Sequence, residues 1–141
     1  MSGVKLTDIV EKMNLKNLTP EVDITEREVL VPDVNRPALQ LAGFFDHFDL
    51  NRVQIIGNVE CAYLETLEDE KRVEIYQKLL EHKVPCIIFS NELQPDESFI
   101  EIAQKNDIPV FGTCKKTSSF MGELIRWLNV KLAPCISIHG V

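Results

Sequence analysis

The feature that most constrains this chain is an alternation that begins at Arg52. Val53 to Ile56 is a short apolar run ending at Gly57, the mark of a strand covered on both faces. Pro85-Cys86-Ile87-Ile88-Phe89-Ser90 repeats the pattern, and Ile108-Pro109-Val110-Phe111-Gly112 repeats it again. Helical stretches lie between these runs. The first covers Val59 to Leu67. The second covers Glu70 to His82, with Val73, Ile75, Tyr76, Leu79 and Leu80 on one side. The third opens at Pro95-Asp96-Glu97-Ser98, whose acidic residues favour a helix dipole in the first turn. A last helix carries Met121, Leu124, Ile125, Trp127, Leu128 and Leu132, with Thr117-Ser118-Ser119 as its cap. Cys135-Ile136-Ser137-Ile138 then reads as a further strand. Strand and helix alternating in this way predict right-handed crossovers. The expected fold is therefore α/β and three-layered, a mostly parallel sheet with helices on both faces.

Before Arg52 the pattern is weaker. Leu6, Ile9, Val10 and Met13 have helical spacing, and Thr7 or Asp8 can cap that helix. Asn14 to Pro20 reads as a connector. Val22 to Val31 is rich in β-branched residues and predicts one or two short strands, stopped by Pro32. Asn35-Arg36-Pro37 sets up a helix with Leu39, Leu41, Ala42, Phe44 and Phe45 as its apolar body, closed by His47-Phe48-Asp49. Leu132-Ala133-Pro134 is the linker candidate. It separates a domain over residues 1–131 from the strand over residues 135–141.

The net charge of −7 disfavours nucleic acid or an anionic membrane as a partner, since both would repel the chain. No apolar run approaches the roughly 20 residues of a membrane span, and the N-terminus begins no signal peptide. A cytoplasmic setting is expected. Cys61, Cys86, Cys114 and Cys135 have no C-x-x-C spacing and sit in or beside apolar stretches. They read as buried, reduced thiols, and no metal site is expected.

Gly112-Thr113-Cys114-Lys115-Lys116-Thr117-Ser118-Ser119 follows a predicted strand and opens a helix. Ligands of open parallel sheets gather at the carboxyl ends of strands, and free N–H groups at a helix start attract anions. Lys115, Lys116, Thr117, Ser118 and Ser119 are thus candidates for a phosphate site; the plain alternative is a helix cap with two solvated lysines. Ser90-Asn91-Glu92 and Gly57-Asn58 fall on the same sheet edge, as part of a pocket or as ordinary turns. Cys114 beside two lysines has a setting that favours a thiolate, without a histidine adjacent in sequence. His47 and His82 have no ligand spacing, and a helix C-terminus accounts for His82. The acidic run from Glu65 to Glu70 reads as a solvated face.

Three stretches carry a family resemblance. Arg36-Pro37-Ala38-Leu39-Gln40-Leu41-Ala42-Gly43 is similar to an Arg-Pro-Gly-Leu-Gln-Leu-Ala-Gly segment of the bacterial bifunctional HPr kinase/phosphorylases, with Ala38 in place of glycine. Arg52 to Gly57, with Glu60 and Tyr63-Leu64, is similar to the segment that comes next. Ile138-His139-Gly140-Val141 resembles the motif that opens the family's catalytic domain. The resemblance implies an N-terminal domain similar to the substrate-binding domain of murein ligases, followed by the first strand of a P-loop catalytic domain. It implies a parent enzyme, a hexamer, that uses ATP or pyrophosphate, with Mg²⁺, to phosphorylate a serine of HPr, and phosphate to reverse this, in carbon catabolite regulation. His139 corresponds to an active-site histidine, idle without its P-loop neighbours. The chain holds no G-x-x-x-x-G-K-[ST], so no cofactor is expected here and the catalytic domain of the same chain is the first partner. The alternative is a stand-alone module that binds a nucleotide or a phosphorylated metabolite.

Overall fold

The computed structural model describes residues 3–133. In chain order the elements are β1 Val4–Lys5, α1 Leu6–Met13, β2 Lys16–Asn17, β3 Glu28–Val29, β4 Val34–Asn35, α2 Ala38–Leu41, β5 Val53–Ile56, α3 Asn58–Glu65, α4 Asp69–Leu80, β6 Ile87–Phe89, α5 Glu97–Lys105, β7 Val110–Gly112 and α6 Thr117–Leu132. A five-stranded sheet has the order β2-β7-β6-β5-β4, and β1 with β3 forms a separate two-stranded antiparallel pair. The pairs β4–β5, β5–β6 and β6–β7 are parallel. Only the edge strand β2 runs against its neighbour, with Lys16 opposite Gly112.

The strand runs are almost wholly apolar because both sides of each strand are covered; the buried exception, Gln54, accepts from Asn35 Nδ2 and donates to the Arg52 carbonyl. Val53, Ile55, Cys86, Ile88 and Phe111 join a core with Leu6, Ile9 and Met13 of α1 and Phe120, Leu124 and Leu128 of α6. Their neighbours Ile56, Ile87, Phe89 and Val110 join a second core with Leu41, Leu64, Ile75, Leu79, Leu80, Phe99 and Ala103 from α2 to α5. Successive strand residues point to opposite faces, so one run feeds two cores. The expected three-layer α/β arrangement is the one observed. The connections after β4, β5 and β6 all cover one face, whereas α6 after β7 covers the other.

The N-terminal third departs from expectation. Lys16–Asn17, placed in a connector, is strand β2; its pairing is extended by the Leu18 N–H donating to the Val110 carbonyl (2.9 Å) and the Val110 N–H to Thr19 Oγ1 (2.9 Å). Asn35, read as a helix start, belongs to β4. Within Val22 to Val31 only Glu28–Val29 is a strand, and its partner Val4–Lys5 carries no strand signal of its own. The helix expected from Asn35 to Asp49 is one turn, Ala38–Leu41. Gly43, at φ 101°, takes the chain out of it.

Neither predicted side-chain cap forms. Lys5 and Lys116 occupy the cap positions of α1 and α6 without a capping side-chain bond, which places Thr117, Ser118 and Ser119 in the first turn instead. Leu132, where the expected helix and linker overlap, is the last residue of α6 and packs against the core. The strand expected at Cys135-Ile136-Ser137-Ile138, with His139, lies outside the described residues.

Burial sorts the cysteines. Cys86 is fully buried, Cys61 half-buried and Cys114 exposed, so Cys114 departs from the buried reading. Burial pushes the Cys86 thiol up to about 12, from 9.0 in an unperturbed chain. Its contribution to stability is therefore complete below pH 9.0 and is lost as pH rises toward 12, by up to about 1.4 kcal/mol per pH unit. Urea denaturation above pH 9.0 should show this slope in the wild-type chain and a shallower one in Cys86→Ala. Iodoacetamide should modify Cys114 well before Cys61 or Cys86, as peptide mass spectrometry would show.

Candidate functional site

The polar side chains of the sheet converge at its carboxyl edge. Arg36 follows β4 and donates from Nη2 to Glu60 Oε1 at 2.7 Å. Glu60 sits in the first turn of α3, only 2% exposed, and also accepts the Gly57 N–H at 2.7 Å. One carboxylate thus caps α3 and neutralises the guanidinium, joining the ends of β4 and β5. Arg36 Nε is buried without a hydrogen-bond partner among the described residues.

A second cluster joins β6 to α6. Asn91 Nδ2 donates to Thr117 Oγ1 at 3.3 Å, Thr117 donates to Ser90 Oγ at 2.6 Å, and Ser90 donates to the Ile56 carbonyl at 3.3 Å. The bonds run in one direction, so each hydroxyl donates one hydrogen bond and accepts another. The two clusters meet at Gly57. A Cβ there would stand 2.7 Å from Thr117 Oγ1 and 2.9 Å from Arg36 Nη2. Gly57→Ala should therefore push the clusters apart and cost about 1–3 kcal/mol, as for other overpacked sites. Chemical denaturation measures this; an unchanged midpoint would mean that the contacts are slack.

The loops after β6 and β7 are pinned to each other. The Asn91 N–H donates to the Lys115 carbonyl (2.8 Å) and the Glu92 N–H to the Thr113 carbonyl (2.9 Å). To do so Asn91 and Glu92 both adopt φ 57°, a left-handed conformation that is costly for glutamate.

The candidate anion residues do not share one point. Lys115 Nζ is bonded to Glu123 Oε1 at 2.8 Å, which holds that carboxyl below its usual range. Thr117 is half-buried in the hydroxyl relay. Lys116, Ser118 and Ser119 are exposed along the start of α6. Gly57, Ser90 and Asn91 do come together, as the strand alternation predicted. Ser90 has a hydroxyl and a carbonyl as its neighbours, neither of them a general base. His82 stacks on Phe45 at 4.6 Å, and its Nδ1 lies 2.8 Å from the Lys78 carbonyl. Among the described residues no group of three or more His, Cys, Asp or Glu side chains could hold a metal ion. No helix among them is long and apolar enough to cross a membrane.

A small cavity of about 60 Å³ lies between α3, α4 and α5, lined by Cys61, Arg72, Tyr76, Asp96 and Phe99 among others. Tyr76 donates to Asp96 Oδ2 at 2.6 Å, and Arg72 Nε lies 3.2 Å from the same oxygen. Burial and the Asp96 bond hold the Tyr76 phenol above its ordinary range. Burial, with Glu60, Glu65 and Asp96, pushes the Cys61 thiol up to about 11, which makes it a poor nucleophile.

Arg36 and Glu60 were not visible as a pair. Glu60 three residues after Gly57 is a capping-box spacing and carried a signal. Its partner carried none, because Arg36 meets Glu60 only when β4 lies beside β5.

Fold and site define a three-layer α/β domain whose polar residues tie together the carboxyl edge of a parallel sheet. The chain belongs to the HPr serine kinase N-terminus family, whose model matches residues 4–128. It is similar to the HPr kinase/phosphorylase of Lachnoclostridium phytofermentans, 56% identical over 141 residues, covering 100% of this chain and 46% of that protein. The HPr kinase/phosphorylase of Caldicellulosiruptor bescii is 41% identical over 132 residues, covering 94% of this chain and 42% of that protein. The chain thus spans about half the length of the curated relatives it matches. Among solved structures, it is similar in fold to the CBS and DRTGG domains of the regulatory region of Clostridium perfringens pyrophosphatase, in complex with its activator diadenosine tetraphosphate. There the TM-score is 0.62 at 22% identity, over 89% of this chain and 47% of that one.

Proposed function

We propose that this chain is the non-catalytic N-terminal domain of an HPr kinase/phosphorylase. The full-length parent would phosphorylate a serine of HPr with ATP or pyrophosphate, and would use phosphate to remove it. The observation that carries the reading is the match to HPr kinase/phosphorylases along 100% and 94% of this chain but only 46% and 42% of theirs. Phosphoryl transfer in P-loop enzymes depends on a backbone cradle and a lysine for the phosphates, and the 141 residues contain no such motif. ATP and Mg²⁺ would then be handled by the remaining half of the parent, beside His139.

In this reading the domain acts in the cytoplasm, in an oligomeric parent, and its contribution is structural or regulatory. The test is the reading frame past Val141. A G-x-x-x-x-G-K-[ST] motif shortly downstream is the expected result. A stop codon would overturn the reading and favour a stand-alone binding module.

A further inference from the structure

The connections after β6 and β7 leave the sheet toward opposite faces, α5 on one and α6 on the other. In an open parallel sheet that divergence opens a crevice at the carboxyl ends of the two strands, the usual place for a ligand. A cavity of about 250 Å³ lies there, lined by Lys16, Leu18, Glu92, Leu93 and Gly112 among others. Three features shape it. Gly112, half-exposed at the end of β7, leaves its side of the cavity bare. Half-buried Leu18 and Leu93 supply apolar surface. Lys16 and Glu92 supply opposite charges, and neither has an ion-pair partner among the described residues. Glu92 is held on the rim by its left-handed backbone and its bond to the Thr113 carbonyl.

We infer that this cavity binds a small zwitterion with an apolar body, an α-amino acid of the leucine class. Its carboxylate meets Lys16, its ammonium meets Glu92, and its side chain lies against Leu18 and Leu93 over Gly112. Each head group gains a charge-assisted hydrogen bond, and the apolar body leaves water. The volume accommodates such a molecule and falls short of the larger pockets that enclose drug-sized ligands. The site is separate from the Arg36–Glu60 pair, and the inference does not depend on the role of HPr.

The experiment is an amide NMR titration of the 141-residue chain with L-leucine. Saturable shifts at millimolar ligand are expected at residues 14–18, 92–94 and 112–114. N-acetyl-leucine, which lacks the ammonium, and leucinamide, which lacks the carboxylate, should each bind about tenfold more weakly. Glu92→Gln, at an exposed position, should weaken leucine without affecting N-acetyl-leucine. Gly112→Ala should weaken leucine: its Cβ would stand an ordinary 3.6 Å from Leu18 Cδ1, so the fold is kept while the cavity narrows. Absence of saturable shifts, shifts elsewhere, equal binding of the three compounds, or binding of a nucleoside in place of leucine would each overturn the assignment.

Discussion

Phe99→Ala is expected to destabilise the domain by about 3–5 kcal/mol. Phe99 is 1% exposed and is the large anchor of α5. Its ring meets Tyr76 edge-on at 5.1 Å and Phe89 edge-on at 5.2 Å. It therefore joins α4, α5 and the sheet at one point, and aromatic pairs of this geometry add to the area term. Truncation would also enlarge the small cavity beside it, which Cys61, Arg72 and Asp96 help to line. That cavity is partly polar, so water entering it offsets some of the loss, whereas a dry void does not. Phe99→Leu keeps most of the volume and should cost far less. Urea unfolding of the two variants checks the order; equal losses would mean that the edge-on rings matter more than the space they fill.

Glu60→Ala is expected to cost about 3 kcal/mol, at the lower end for breaking a buried ion pair. Two groups lose their acceptor together: the Gly57 N–H at the start of α3 and the Arg36 guanidinium. The N–H is buried and bears its full desolvation cost. The guanidinium is about one-third exposed, so water recovers part of its interaction. Glu60→Gln retains a carbonyl acceptor and should recover roughly half the loss. Arg36→Met leaves the Glu60 carboxylate, 2% exposed, with only the Gly57 N–H as partner, so it should also cost about 3 kcal/mol. A double-mutant cycle over the two positions measures the coupling. Additive losses would show that Arg36 and Glu60 stabilise the edge independently.

The parts of the fold legible in the sequence are those whose residues have one environment. Val53-Gln54-Ile55-Ile56 and Ile87-Ile88-Phe89 are buried on both faces, and their apolar runs say so. Lys16–Asn17 and Val34–Asn35 are two-residue edge strands, exposed or half-buried. A strand that short has no period to detect, and its state is decided by the neighbour it pairs with. The candidate site divides along the same line. Gly57, Ser90 and Thr117 follow from the order of the buried strands, which puts their loops on one edge. Arg36 depends on β4, so its bond to Glu60 could not be read. Lys115, a candidate anion ligand by sequence, is instead paired: it stands in the loop before α6 and reaches forward to Glu123 inside that helix, a contact that only the folded helix brings about.

On the proposed function, the phosphoryl-transfer chemistry of the parent lies outside these 141 residues. The most direct test incubates the purified chain with HPr, ATP and Mg²⁺ and follows phosphoserine on HPr by mass spectrometry, with a full-length relative as positive control. Phosphorylation by the relative and none by this chain is the expected result. Phosphoserine formed by the 141-residue chain alone would contradict it.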